Sequence, residues 1–508
     1  MINNYPKLIN SKRKNMKEEK NLKKVGMLVF YFSLLFCSGV FAQQRIEKIN
    51  IDWNNITCVS KTTPTLQLVE NPKVRPFSPI CKPVFAALKN LKANYLRYVP
   101  WCPYPKLSVA ELKAPTKEET YWNFSYMDST VAAVVEASEG RPVVLDFSTT
   151  PVWMWKTESE ISYPEDPYQV CWNYNKGTEL RDTTVSELAD YYGRMLQWYT
   201  KGGFTDEIGI YHKSGHYYNI DYWEVLNEPD GEHLISPELY TKIYDAIVLK
   251  LKNIQPDLKF IGLSLMFENN PHYFEYFLNP KNHQPGVPLD GISYHLYSQT
   301  SYKGQNIEAF QYTCFEKANA FLNKVRYIEN IRKRLSPHTI TMINEIGTMI
   351  SQPIPLEYWN LSGAMYAHVF LELTKIGIDV AGESQLVGYP TQYPDVSMVN
   401  WETGKPNSRY WVLKLLIDNF GPGDKLVSTN ISTGDVQGQG IITKEGNKLL
   451  LINKKNKSVS IQLPLKNSNK EISYVDMTSG ENSYDRINMT GNLLELRPFS
   501  VAVISLKQ

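Results

Sequence analysis

Short apolar, β-branched runs alternate with amphipathic stretches from about Ile46 to Phe420, and this alternation predicts a parallel sheet covered by helices. Eight runs have strand character: Ile49–Val59, Asn94–Val99, Pro142–Phe147, Asp221–Val225, Lys259–Leu265, Gly291–Tyr297, Thr339–Asn344 and Ile378–Ser384. Helical patterns fall between them. Pro237–Asn253 is the strongest, with Leu239, Ile243, Ile247 and Leu251 at helical spacing and Pro256 as the stop. Eight strands are the number that closes a (β/α)8 TIM barrel. The stretches Trp101–Asn123 and Thr149–Thr184 read as long aromatic loops after the second and third strands.

The pattern changes after Phe420. Gly421-Pro422-Gly423-Asp424 punctuates the chain, and Val427–Gln508 consists of short β-rich runs without a helical stretch, Lys448–Ile452 and Val501–Ser505 being the clearest. A C-terminal β-sandwich of roughly 80 residues is expected here. The domain plan is therefore an N-terminal segment to residue 42, a barrel over 43–420 and a sandwich over 421–508.

The first 42 residues have the form of an export signal. Lys17, Lys20, Lys23 and Lys24 precede the apolar run Val25–Phe36, and Val40-Phe41-Ala42 offers a small-residue cleavage site, with Met16 a candidate start. The run is shorter than the roughly 20 residues of a membrane span. Secretion or export to the periplasm is the expectation. Lipid anchoring through Cys37 is disfavoured because bulky Phe36 precedes it.

Removing this segment changes the charge. It carries eight of the 54 basic and two of the 52 acidic residues, which leaves 46 basic against 50 acidic. The slight excess of positive charge belongs to the signal, so a nucleic-acid partner is not expected. Cys58, Cys81, Cys102, Cys171 and Cys314 are scattered without a C-x-x-C pair, which argues against zinc; one bridge among the first four is open. The aromatic share of 12% fits a sugar-binding protein, although large cores also bury aromatics.

Two motifs carry the chemistry. Tyr222-Trp-Glu-Val-Leu-Asn227-Glu228-Pro229 is a β run that ends in a glutamate, where the proline stops the strand. Thr339-Ile-Thr-Met-Ile-Asn344-Glu345 ends the same way. These are strands four and seven of the count, so both glutamates fall at the C-terminal edge of the barrel, where catalytic groups sit. Two facing carboxylates suit glycosidic cleavage, one protonated to assist the leaving oxygen and one ionised to attack the anomeric carbon. Glu224 in the first motif is expected to have a structural role or to face a helix.

With these motifs the chain resembles clan A of the glycoside hydrolases, and is most similar to family 39, which includes β-xylosidases and α-L-iduronidases. The likeness extends to Asn94-Tyr-Leu-Arg97-Tyr, Asn123-Phe-Ser-Tyr-Met-Asp128, Pro142–Phe147 followed by Pro151-Val-Trp-Met154, and Trp223–Asp230, in that family's order over about residues 46–420. It implies a retaining hydrolase of oligo- or polysaccharides with Glu345 as nucleophile and Glu228 as acid/base; no cofactor is expected, and no metal, because no second His/Asp cluster accompanies His295. It further implies that Asn227 binds the substrate 2-hydroxyl and that Arg97 hydrogen-bonds the nucleophile. His295 and Tyr297, two residues apart on strand six and so on one face, match the clan's His-x-Tyr pair, with the tyrosine near the nucleophile and the histidine near the acid/base or the sugar.

Departures concern the substrate. Arg97-Tyr-Val-Pro100-Trp-Cys-Pro-Tyr104 lacks the histidine that follows the arginine in the xylosidases, and Ile346-Gly347-Thr348 differs after the nucleophile. Glu383 on strand eight is a candidate substrate contact or a barrel salt-bridge partner; Trp153, Trp155 and Trp401 are candidate sugar platforms. A non-catalytic carbohydrate-binding barrel and a transglycosylase, the latter marked by an apolar acceptor subsite, remain alternatives.

Overall fold

The computed structural model describes residues 46–174, 177–350, 357–464 and 470–506. The export signal and Cys37 lie outside the described residues. Eight parallel strands close into a barrel in chain order: Thr63–Val69, Leu96–Val99, Val143–Leu145, Tyr222–Glu224, Lys259–Leu265, Gly291–Gln299, Ile340–Met349 and Val380–Glu383. The eighth pairs with the first, Val380 opposite Thr63 and Glu383 opposite Leu66, which closes the ring. Parallel neighbours need crossover connections, and helices such as Cys81–Leu91, Asp128–Ser138, Ser186–Thr200 and Tyr358–Ile376 supply them.

The helix Pro237–Ile254 illustrates how local sequence sets an element. The Ser236 hydroxyl caps it by accepting the Leu239 N–H at 3.3 Å, and Pro237 occupies the first turn, where its missing N–H costs nothing. Ile243, Ile247 and Leu251 are buried. Gln255 is extended, as expected of a residue before Pro256, and the helix stops.

One expected strand lies elsewhere. Ile46–Val59 does form a strand, but it pairs antiparallel with Lys425–Ile431 in a nine-stranded sheet built mostly from C-terminal residues. Its alternating buried and exposed positions are those of a strand with one solvated face, whereas Thr63–Val69 is buried throughout, as a barrel strand must be. Pro64 disguises the genuine first strand, because proline inside an apolar run argues against a central strand. The substitution of one strand for another leaves the count at eight, so the strand numbers of the two glutamate motifs are unchanged.

The nine-stranded sheet curls into the sandwich-like C-terminal domain. Strand period two divides its apolar side chains between two cores. Leu449, Leu451, Ala502 and Ile504 pack inside the curl, while Leu450, Ile452, Val501 and Val503 join the barrel core. Among the described residues Cys58, Cys81, Cys102, Cys171 and Cys314 are all unpaired, so the bridge left open by the sequence does not form. No helix among the described residues is long and apolar enough to cross a membrane.

Candidate active site

Arg97, at the second position of barrel strand two, is 1% exposed and organises the floor of the barrel mouth. Its Nε donates to Glu224. Nη1 donates to Gln67 and to Glu345, both at 2.6 Å, and Nη2 to Asp146 at 2.6 Å, Asn227 at 2.8 Å and Ser264 at 3.0 Å. One cation thus faces three carboxylates. Glu224, given a structural role or a helix-facing position from sequence, points into the barrel. Strand alternation sends its neighbour Trp223 outward onto Phe147 and Tyr192, and the Glu224 carboxylate also accepts from Asn344 Nδ2 and the Ser293 hydroxyl.

Glu228 sits just past strand four. Leu226 (φ 63°) and Glu228 (φ 44°) are left-handed, a costly conformation for residues with a Cβ that recurs at functional sites. The Glu228 N–H donates to the Ser264 carbonyl at 2.8 Å, which fastens this turn to strand five. His295 Nδ1 lies 2.8 Å from Glu228 Oε1, and His295 Nε2 lies 3.6 Å from Glu345 Oε1. Tyr297, on the same face of strand six, donates its hydroxyl to Glu345 Oε2 at 2.6 Å. One ligand oxygen from each glutamate and a His295 nitrogen all lie within 4.8 Å of one another.

The two carboxyls are tuned in opposite directions. Burial pushes Glu228 above the usual carboxylate range; the hydrogen bond and charge of His295 oppose this, and the charge of Glu345 reinforces it. Burial also works against ionisation of Glu345. The charges of His295 and Arg97 and the hydrogen bonds from Tyr297 and Arg97 outweigh it and hold that carboxyl below its ordinary value. Burial would lower the basicity of His295, but Glu345 and Glu228 together raise it. The arrangement can therefore hold one acid protonated beside one carboxylate ionised.

A cavity of about 600 Å³ opens above this cluster, with Gln67, Trp101, Asn227, Glu228, His295, Tyr297 and Glu345 in its lining. Four expected substrate contacts lie off it. Glu383, the last residue of strand eight, is fully buried, and Arg409 Nε donates to it at 3.0 Å, so the salt-bridge alternative is the one observed. Trp153 donates its indole N–H to the Glu111 carbonyl at 2.9 Å and lies under the Arg181 guanidinium. Trp401 stacks on Tyr393 with ring centroids 4.4 Å apart. Trp155, the third candidate platform, is buried against His233.

Trp101 and Glu232 are contributors that sequence reasoning missed, beside Gln67, Asp146 and Ser264 around Arg97. The Trp101 indole donates to Glu232 Oε1 at 2.5 Å, and Asn227 Nδ2 donates to the same oxygen at 2.9 Å. Burial and the Glu228 charge push Glu232 up to about 8. Its position four residues after Glu228, one turn into the short helix Pro229–Glu232, is the signal that could have found it. Glu228, His295 and Glu345 have the donor types of a metal site. Here His295 Nδ1 is committed to Glu228, and both oxygens of Glu345 accept from Arg97 and Tyr297, so hydrogen bonding within the protein accounts for the cluster.

No protein-family model matches the sequence, and no curated protein matches it. Solved structures do. The fold is shared with glycoside hydrolases. A GH51 arabinofuranosidase from Xanthomonas axonopodis pv. citri superimposes with a TM-score of 0.62 at 13% identity over 90% of this chain and 99% of that one. A glucosidase from Croceicoccus marinus gives 0.61 at 12% identity, covering 91% and 98%. A GH30 endoxylanase from Clostridium papyrosolvens C71 gives 0.53 at 13%, covering 90% and 99%. At such identities the likeness establishes the fold, a closed barrel with an attached sheet domain.

Proposed function

We propose that this chain is a retaining glycoside hydrolase of oligo- or polysaccharides, β-xylosidase-like or a related glycosidase. Glu345 acts as nucleophile and Glu228 as acid/base. The observation that carries this reading is the approach of the two carboxylates to within 4.8 Å. It suits direct attack by one carboxylate, which needs about 5–5.5 Å, and leaves no room for the water that inversion places across about 6.5–9.5 Å. The opposite tuning of the two acids supports the assignment of roles.

In the first step a Glu345 oxygen bonds to the anomeric carbon while the bond to the leaving oxygen breaks, and that oxygen takes the Glu228 proton. In the second, ionised Glu228 removes a proton from water, whose oxygen attacks the anomeric carbon and releases the Glu345 carboxylate. Arg97 and Tyr297 keep Glu345 ionised and aimed. Asn227 is held by Arg97 at its oxygen and by Glu232 at its nitrogen, which leaves an amide hydrogen for a sugar hydroxyl. The likeness to family 39 rests on the sequence motifs, and the export-signal pattern of residues 1–42 supports an activity outside the cytoplasm.

A panel of aryl pentosides and hexosides, run with wild type and Glu345→Ala, tests the reading. Wild type is expected to turn over at least one member, and the variant to lose ~10⁴-fold or more. Equal turnover by both proteins would remove Glu345 from the mechanism. Proton NMR of the first-formed sugar is expected to show the substrate's anomeric configuration; the opposite anomer would rule out double displacement.

A further inference from the structure

The chain leaving strand five, Met266-Phe267-Glu268-Asn269, forms one lip of the cavity, and Met266 and Phe267 line it. Both are exposed, 37% and 50% respectively. Single exposed apolar side chains are ordinary, but two adjacent ones on a restrained segment at a cavity mouth mark a candidate contact surface. This lip is restrained at both ends. Asp230 Oδ1 accepts the Met266 N–H and Oδ2 the Phe267 N–H, each at 2.9 Å. Lys324 Nζ donates to Glu268 Oε1 at 2.5 Å and to the Asn269 side chain. Lys324 comes from the helix Ile307–Leu335, which turns Lys317, Ala320, Phe321 and Lys324 toward the cavity at spacings of three, four and seven residues, a single helical face.

The cavity is thus divided by chemistry. Gln67, Gln385 and Gln392 bring amide groups to the wall nearest strands one and eight, where the hydroxyls of a reacting sugar need partners. The lip opposite adds the apolar side chains of Met266 and Phe267 beside the Lys324–Glu268 ion pair. Asp230, which holds it, stands two residues after Glu228, and a Cβ on Gly231 would meet the Met266 sulfur at 2.9 Å, so the lip is built against the acid/base turn. The group that receives the Glu228 proton is the leaving oxygen, and what is attached to that oxygen extends past this turn.

We infer that Met266 and Phe267 form the leaving-group subsite, taking a sugar ring of the departing saccharide against the Phe267 face. The inference rests on the proposed assignment of Glu228 as acid/base. Substrates that share a glycone but differ in the leaving group test it: a disaccharide occupies the subsite, whereas a glycosyl fluoride has no ring to place there. In Phe267→Ala the ratio of kcat/KM for disaccharide over fluoride is expected to fall about tenfold, the effect of uncovering one aromatic contact. Phe267→Tyr, which keeps the ring, is expected to restore the ratio. Asp230→Asn, which puts an amide donor against a backbone N–H, is expected to lower the ratio in the same direction. A ratio unchanged in Phe267→Ala, whether both substrates lose equally or neither loses, overturns the subsite while leaving the glycosidase reading intact. A wild type inert on both substrates overturns that reading and the subsite with it.

Discussion

Of the four arginines buried among the described residues, Arg97 and Arg409 are the most deeply enclosed, and their surroundings could hardly differ more. Arg409, 0% exposed, meets the Glu383 carboxylate at 3.0 Å and the backbone carbonyls of Ser384 and Asp395. It is a closed pair, off the cavity. Even so, burial pushes Glu383 up to about 7, because a single cation only partly offsets the loss of water. Arg97, 1% exposed, faces Glu224, Asp146 and Glu345 at once, and its cluster opens into the cavity. Glu345 there has His295, Arg97 and Tyr297 around it and stays below the usual range. The same residue pair is a barrel fastener in one place and part of a candidate reaction centre in the other. What separates them is an excess of acids over bases and a route to solvent.

Replacing each arginine by methionine sharpens that contrast most. Either change leaves buried carboxylates without their cation and is expected to cost about 3–5 kcal/mol of stability, read from the urea unfolding midpoint. Arg97→Met is expected also to abolish turnover, because Glu345 loses a group that keeps it ionised. Arg409→Met is expected to keep turnover per folded molecule, and combining it with Glu383→Leu should recover much of the stability. A folded Arg409→Met protein without turnover would end the distinction.

The pH profile should show an intermediate effect. In the proposed roles Glu345 acts ionised, so kcat/KM is expected to fall as pH drops through its lowered pKa. Glu228 acts protonated, so kcat/KM also falls as pH rises through its raised pKa. The result is a bell whose alkaline limb disappears in Glu228→Gln. That variant is expected to lose about 10²–10⁴-fold on substrates with poor leaving groups. An alkaline limb that survives in it would assign that ionisation to another residue.

The smallest effect concerns the tryptophans. Trp101→Phe removes the indole donor to Glu232 inside the cavity and is expected to raise KM a few-fold, about 1 kcal/mol. Trp153→Phe and Trp401→Phe, which lie off the cavity, are expected to leave KM where it was. The reverse ranking would move the sugar site.

Part of this site is legible in the sequence because it depends on where a strand stops and how its side chains alternate, although the Glu345 strand, expected to end there, runs on to Met349. A β run that stops at Asn-Glu-Pro puts Glu228 at the barrel edge, and period two on strand six puts His295 and Tyr297 together. These are local consequences of backbone geometry. Arg97 is legible through motif order. The misplaced first strand shows the limit of that logic: Ile46–Val59 has good strand character, but only its antiparallel partner Lys425–Ile431, more than 350 positions away, determines which sheet it joins.

By itself, the sequence determined seven of the eight barrel strands, the β-rich run after Phe420 and the two glutamate motifs, since each follows from periodicity or from a short motif. Tertiary structure alone decided that Glu224 and Asp146 share the Arg97 guanidinium, and that Glu383 is held by Arg409 instead of facing a sugar. It also put Trp101 in the cavity rather than Trp153 or Trp401. The reason is physical. A strand's pattern says which way a side chain points, but burial and the sum of the neighbouring charges set what that side chain can do, and those neighbours come from strands far apart in the chain.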